Sequence, residues 1–539
     1  MPNLQAPSFY IEFLILFFDR IQTIIRYMNE LVLSFDVGTQ STRAAIVDKN
    51  GCIKSFAKTD YKRPFIKASF SGQAEQKPDF YYEMVCRSAQ KLDKKLLNRV
   101  KAVTLSTFRD SCVLLDNDLT PLTNVILWMD ERKVKGDIQL PFLKKTLFCA
   151  AGVMEAVNIN YKTTRYNWIK ENEHQLLEKT AKYVMLSTYL NYRLTGVLKD
   201  SKASQVGHIP FDAKKRTWIK KDIKRCVFDI PMEMLCDLTE AGTEIGKITQ
   251  ENSQRLGIAK NLPLIATGTD KGCESLGLSV TGEGKAAVSL GTAATIQFCS
   301  QRYFSPKPFI PAYPAVIPNS FNAETQIYRG YWTVKWFIEN FCAEEQEKAI
   351  KKKCSVEKIL DSYLDETPAG CEGLLMTPHL AAGIWNPYAK GMFFGLSDKH
   401  SKKHMYRAII EGIDFELYHC MQIMEKRAGY KIKEVYAAGG GSVSDKVLQI
   451  MADMFGLPVK RVQTHEVTVL GSSMAAFCYL GLFKSFQEAS KAMVHDSKTF
   501  VPDMEKHLMY REIYKKIYRY LEKSNTCMFK KSYKLNQNE

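Results

Sequence analysis

Apolar and polar positions alternate between strand and helix periods along the chain, and the first clear element is a short buried strand. Leu31 to Val37 is an apolar run interrupted by Ser34 and Asp36. It gives way to the polar turn Gly38-Thr39-Gln40-Ser41-Thr42, and Arg43 to Asp48 reads as a second strand. Asp48-Lys49-Asn50-Gly51 is a tight turn signal, and Cys52 to Lys58 forms a third strand, so the chain opens as an antiparallel meander. A carboxylate in a buried strand must be paired, hydrogen-bonded or chemically employed. Asp36 beside a glycine- and hydroxyl-rich turn fits either a metal-bound polyphosphate or a capped hairpin.

The pattern then continues with Phe80 to Leu97, where Tyr81, Met84, Val85, Ser88 and Leu92 share a helical face. Val100 to Phe108 is a strand, interrupted by Arg109-Asp110-Ser111 and resumed from Cys112 to Leu115. Two opposite charges planted between apolar strands form a salt bridge or hold a polar small molecule, and the second reading is preferred. Helices are expected around Trp168 to Asn172 and from Thr188 to Leu194, with Gly196 as a stop. Leu262 to Gly272 is a strand entering a polar turn, with Asp270 at its end. Ala286 to Phe298 repeats the opening form, strand, Gly291-Thr292, strand, and this echo suggests two similar domains facing one another. Helices follow at Trp332 to Phe341 and His404 to Arg427, and Gly391 to Leu396 is strand-like. Val435 to Ala438 is a strand ending in Gly439-Gly440-Gly441-Ser442, before a helix from Asp445 to Phe455. Exposed N–H groups there suit a nucleotide. Leu470-Gly471 opens a helix of small residues, and the chain beyond Ser524 reads as a loose polar tail.

Composition adds bounds. A chain of 539 residues, 45% hydrophobic and 25% charged, is a folded protein with room for two large domains. The net charge of +17 is scattered, without zinc-finger spacing or an aromatic-laced basic run. No nucleic-acid partner is expected, and the basic surface would assist anionic substrates such as ATP. The 14 cysteines are spread singly, which suits reduced thiols in the cytoplasm. Residues 1–30 are set aside as an N-terminal extension. The apolar block Phe13 to Phe18, bracketed by Glu12 and Asp19, is too short for a stable membrane span. No signal-peptide pattern surrounds it, Met28 reads as a natural start, and a membrane-surface anchor is the rival reading.

These residues resemble the FGGY carbohydrate kinases, part of the broader group with actin, hexokinase and the Hsp70 ATPase domain. Coverage runs from about Leu31 to about Tyr520. The family's second signature is matched throughout by Gly391, Phe393, Gly395, Leu396, His404, Met405, Ala408, Ile409, Ile410 and Glu411. In the first signature Trp168, Ile169, Glu171 and Asn172 agree. Arg165 replaces the usual lysine, Lys162 stands where a small residue is expected, and Asn160 and Tyr161 both compete for a substrate-side aromatic position.

The resemblance implies an α/β fold of two ribonuclease H-like domains facing a central cleft. A sugar- or polyol-binding domain would span 31–278 and an ATP-binding domain 279–523, with a polar tail at 524–539. It implies γ-phosphoryl transfer from ATP, with Mg2+, to a hydroxyl of a small xylulose-, ribulose- or glycerol-like acceptor. Asp36 would lie near the magnesium. Gly38, Thr39, Ser41, Thr42 and Arg43 would form the first phosphate loop and Gly291 and Thr292 the second. Gly439, Gly440, Gly441 and Ser442 would form the adenosine turn, and Asp270 would be the catalytic base. Arg109 and Asp110 fall where glycerol kinases carry an Arg-Glu pair and xylulose kinases a Met-His pair, and would bind the acceptor with Asp270 and Lys271. Phe108 replaces a common glutamine, and Ala381 to Trp385 departs from a loop of many xylulose kinases, as in a less characterised branch. A homodimer follows by analogy. The competing readings are an inactive sugar or nucleotide sensor on the same fold and an actin- or chaperone-like ATPase.

Overall fold

The computed structural model describes residues 30–535, except 67–68, 70, 221–222, 308–309, 382 and 384–386. The N-terminal extension and most of the Ala381 to Trp385 stretch therefore lie outside the described residues.

The opening meander forms as its pattern predicts. Strands β1 (Leu31–Val37), β2 (Ser41–Asp48) and β3 (Ile53–Asp60) pair antiparallel. β1 is buried at every position because β2 flanks one edge and β4 (Val100–Thr107) pairs parallel with the other. β5 (Glu244–Lys247) and β6 (Pro263–Ile265) complete a six-stranded sheet in the order β5-β6-β4-β1-β2-β3. After helix α1 (Asp270–Gly277) the plan repeats. β7 (Lys285–Leu290), β8 (Ala294–Ser300) and β9 (Phe321–Ile327) form the meander. Helix α2 (Lys402–Ala428) crosses to β10 (Glu434–Ala438), and helix α3 (Asp445–Phe455) leads to β11 (Val459–Val462). β10 and β11 extend this sheet in parallel, next to β7. The central order β9-β8-β7-β10-β11 matches β3-β2-β1-β4-β6 of the first lobe. The echo of strand, Gly-Thr, strand in the sequence is thus a repeat of topology.

Each lobe has its own apolar core, and a third cluster joins them. It includes Val32, Ala45, Val47 and Ile265 from the first sheet, and Ala287, Tyr436 and Ala438 from the second. Helix α4 (Val467–Tyr479), the small-residue helix of the sequence, lies in this seam against α1. A Cβ on Gly277 would sit 2.0 Å from the Val467 carbonyl oxygen, and one on Gly471 2.0 Å from the Cys273 carbonyl oxygen. Glycine at both positions lets the helices touch backbone to backbone, which fixes where α1 presents its N-terminus.

Three local expectations change. The helix expected over Phe80 to Leu97 is Pro78–Gln90 followed by a separate turn Lys94–Leu97, because the Asp93 side chain accepts from the N–H groups of Lys95 and Leu96 and starts a new helix. The polar turn at Asp270 is the first residue of α1, with the Thr269 hydroxyl capping the Gly272 N–H. The expected loose tail beyond Ser524 is helical: α5 (Arg519–Leu535) runs through it, and the Tyr533 ring meets Tyr388 at 5.3 Å.

Candidate active site

β1 carries Asp36 to its end, directly across the ladder from Arg43 of β2. Asp36 Oδ2 accepts from Arg43 Nη1 at 3.0 Å, and Arg43 Nε reaches Glu466 Oε2 at 3.2 Å. Asp36 Oδ1 is buried and has no hydrogen-bond partner among the described residues. Burial pushes this carboxyl up to about 7 against the pull of Arg43, and the charges of Asp270 and Glu466 push the same way. The Gly38 N–H closes the turn on the Ser41 carbonyl at 2.9 Å. Trp128 Nε1 donates to the Thr39 hydroxyl at 3.1 Å, while the Thr42 hydroxyl pairs with the Tyr61 phenol at 2.6 Å inside the lobe.

Asp270 stands in the first turn of α1. Its Oδ1 accepts from the Lys271 N–H at 2.8 Å, and burial raises its carboxyl above the ordinary range despite the nearby Lys271 and Arg109 cations. Lys271 Nζ donates to Glu274 Oε2 at 2.6 Å and crosses to Ser289 of β7 at 2.8 Å, so the side chain ties the two lobes.

Arg109 and Asp110 are both half-buried at the end of β4 but have different partners. Arg109 pairs with Glu324 of β9, and its guanidinium lies 5.2 Å from the Tyr313 ring centre. Asp110 adopts a left-handed backbone, φ 57°, and is bonded by Arg165 Nη1 at 3.0 Å and by the His208 N–H at 2.9 Å. His208 Nδ1 also lies 2.8 Å from its Oδ2. Burial alone would raise this carboxyl, but Arg165 and His208 outweigh it and hold it well below the usual range. Arg165 also donates to the Trp128 carbonyl at 2.8 Å, so the residue that departs from the signature lysine orders the wall beside Asp110. Asn160 and Tyr161 lie together on the helix Met154–Thr163 that precedes Arg165.

The second Gly-Thr turn and the glycine turn meet across the other lobe. The Gly291 carbonyl accepts from the Tyr331 N–H at 3.0 Å. The Tyr331 ring in turn covers Gly441, where a Cβ would fall 2.3 Å from it. Gly439 has φ +88° and lies against Leu290, next to Gly291; a Cβ there would be 2.7 Å from the Leu290 carbonyl carbon. The Ser442 hydroxyl donates to the Gly439 carbonyl at 2.7 Å, Arg461 Nε donates to the Ser442 carbonyl at 2.8 Å, and Gly440 faces open space.

The structure thus gathers Asp36, Arg43, Asp270, Lys271 and Arg109 around one junction of the lobes. It brings Gly291, Thr292 and Gly439–Ser442 together beside Tyr331. Glu324, Tyr313, Glu466 and His208 escaped the sequence reading, because each comes from a remote segment with no motif of its own.

Two lobes of repeated ribonuclease H-like topology, with carboxylates at their junction and glycine turns on the second lobe, define the phosphotransferase class that includes hexokinase. Residues 31–277 match the N-terminal domain, and 286–480 the C-terminal domain, of the FGGY family of carbohydrate kinases. The chain belongs to that family and is an ATP-dependent kinase with an alcohol group as acceptor. It is 26% identical to xylulose kinase of Bacillus subtilis (strain 168) over 527 residues, 94% of this chain and 99% of the relative. It is 25% identical to gluconokinase of Bacillus licheniformis over 499 residues, 90% of this chain and 94% of the relative. Ligand-bound xylulose kinase from Lactobacillus acidophilus superposes with a TM-score of 0.79 at 23% identity, covering 93% of this chain and 99% of that one. No helix among the described residues is long and apolar enough to cross a membrane.

Proposed function

We propose that the enzyme transfers the γ-phosphoryl group of ATP to one hydroxyl of a small sugar, sugar acid or polyol, in the cytoplasm, with Asp270 as general base. The observation that carries this reading is the pair of carboxylates that the first lobe presents at the junction, Asp36 buried and Asp270 half-buried, each with a raised proton affinity. The residues 31–278 would bind the acceptor and 279–523 the nucleotide.

The orphaned, buried Oδ1 of Asp36 fits a divalent cation, and Asp36 would hold the Mg2+. When bound, Mg2+ supplies positive charge against the β- and γ-phosphates. Past Gly38, whose N–H is taken by the Ser41 carbonyl, the turn residues Thr39 and Gln40 and the turn Gly291-Thr292 offer backbone N–H groups to those phosphates, with Arg43 behind the first. Gly439–Ser442, walled by Tyr331, would take the adenosine.

On the acceptor side Arg109 supplies guanidinium donors and Asp110 carboxylate acceptors. Their tethering to Glu324, Arg165 and His208 sets the geometry before substrate arrives. Lys271 places a cation beside Asp270. As the acceptor oxygen forms its bond to the γ-phosphorus, its proton passes to the Asp270 carboxylate, and the bond to the β-phosphate oxygen breaks to release ADP.

The test is an ADP-release assay over xylulose, ribulose, gluconate and glycerol-like acceptors, with the phosphorylated carbon located by NMR. ADP release that requires one class of acceptor is expected. ATP turnover independent of every acceptor would overturn the reading.

A further inference from the structure

A second cluster of ligand-type side chains lies midway along α2, where α2, α5 and the Leu375–Thr377 strand approach one another. His379 follows the short strand Leu375–Thr377, Glu416 comes from α2, and Glu522 comes from α5. Their donor atoms all lie within 4.8 Å of one another. His379 Nε2 is 3.8 Å from Glu416 Oε2 and 3.6 Å from Glu522 Oε2. These separations are too long for hydrogen bonds. They are close to the ~3.4 Å between donor atoms around a tetrahedral ion with bonds of about 2.1 Å. His379 Nε2 is buried and makes no hydrogen bond among the described residues, and the Glu416 side chain is only 8% exposed.

The three residues, together with Thr377, His419, Tyr518 and Arg519, line a cavity of about 10 Å³, roughly the room that one water-sized particle needs. His419 sits three residues after Glu416 on α2, so both project from one helix face. Its Nδ1 lies 2.8 Å from the Tyr514 hydroxyl, which orients the ring in the cavity wall beside the three-residue cluster. The Arg519 side chain lines the same cavity, and the Lys307 charge acts on Glu416, so the competing arrangement is a web of ion pairs.

The geometry points to a binding site for a zinc-type divalent transition cation, held by His379, Glu416 and Glu522. Imidazole nitrogen with two carboxylates suits such an ion better than Mg2+, which prefers an oxygen shell and keeps its waters. The ion joins α5 to α2 and to the Leu375–Thr377 strand, and so pins the C-terminal helix to the second lobe.

The test uses the full chain, stripped with a chelator and titrated with Zn2+ against a chromophoric competitor, with X-ray absorption of the loaded protein. One equivalent of Zn2+ with a nitrogen and oxygen shell is expected. His379→Ala and Glu522→Gln should each weaken binding at least about 10-fold and remove the zinc-dependent rise in thermal midpoint, while turnover with Mg-ATP stays near that of the parent and reports folding. Glu522 is 34% exposed, so Glu522→Gln decides the matter if His379→Ala fails to fold. Absence of stoichiometric binding, binding unchanged in Glu522→Gln, or a sulfur shell would overturn the assignment.

Discussion

Asp36→Asn separates the electrostatic state of the free enzyme from its catalytic use. The Asp36 carboxyl titrates near 7 rather than at its ordinary 3.8, so its ionised form is disfavoured in the folded chain by about 4 kcal/mol. The sign follows from proton binding. Below the ordinary value both folded and unfolded chains hold the proton, and the group leaves stability unchanged. Between that value and 7 the unfolded chain has lost the proton while the folded chain keeps it, so stability falls as pH rises. Above 7 both states are ionised, and the cost of the buried charge is complete. Asparagine removes this dependence. Its other effect, the loss of a partner for Arg43, is close to constant with pH, because Arg43 keeps Glu466 at 3.2 Å. Urea unfolding of both proteins, free of metal and nucleotide, at intervals from pH 4 to pH 8 measures the difference directly. The stability of Asp36→Asn relative to the parent should rise by several kcal/mol across that range, and its turnover should collapse. A difference flat to within about 1 kcal/mol would refute the claim that Asp36 is a buried, electrostatically strained carboxyl, since a shift of one pKa unit already corresponds to about that much.

Arg109→Ala should raise the KM for the acceptor more than that for ATP in steady-state kinetics; the reverse pattern would move Arg109 away from the acceptor. Arg165→Met leaves the Asp110 carboxylate with His208 but without its guanidinium, and denaturant unfolding should show a loss of about 3–5 kcal/mol, partly recovered in Arg165→Lys. Gly471→Ala drives a methyl into the Cys273 carbonyl, which should cost about 1–3 kcal/mol in the same assay. It should also lower kcat, because α1 carries Asp270; unchanged stability would show that the two helices separate freely.

The sequence discloses the strand, Gly-Thr, strand repeat because each meander is local and each turn carries its own glycine and hydroxyls. Asp36, Asp270 and the glycine turn are legible for the same reason: a carboxylate or three glycines at the end of an apolar run stand out without knowledge of distant residues. The partners are not legible. Glu324 meets Arg109 from more than two hundred residues away, and His208 reaches Asp110 from a loop without periodicity. The start of α1 was hidden because Gly268 and Gly272 read as turn residues, whereas Thr269 caps the helix there through the Gly272 N–H. The helix through the tail was hidden by its polar composition, since its order depends on remote contacts such as Tyr533 with Tyr388 and Lys390 with the Ser532 hydroxyl.

The central claim is that Asp270 accepts the proton of the attacking hydroxyl. Asp270→Asn keeps the size and the N-terminal position of the side chain on α1 but removes the base. With the acceptor identified, kcat by ADP release should fall at least about 10²-fold, while ATP binding by calorimetry stays near that of the parent. Turnover close to the parent's, with nucleotide binding intact, would contradict the account.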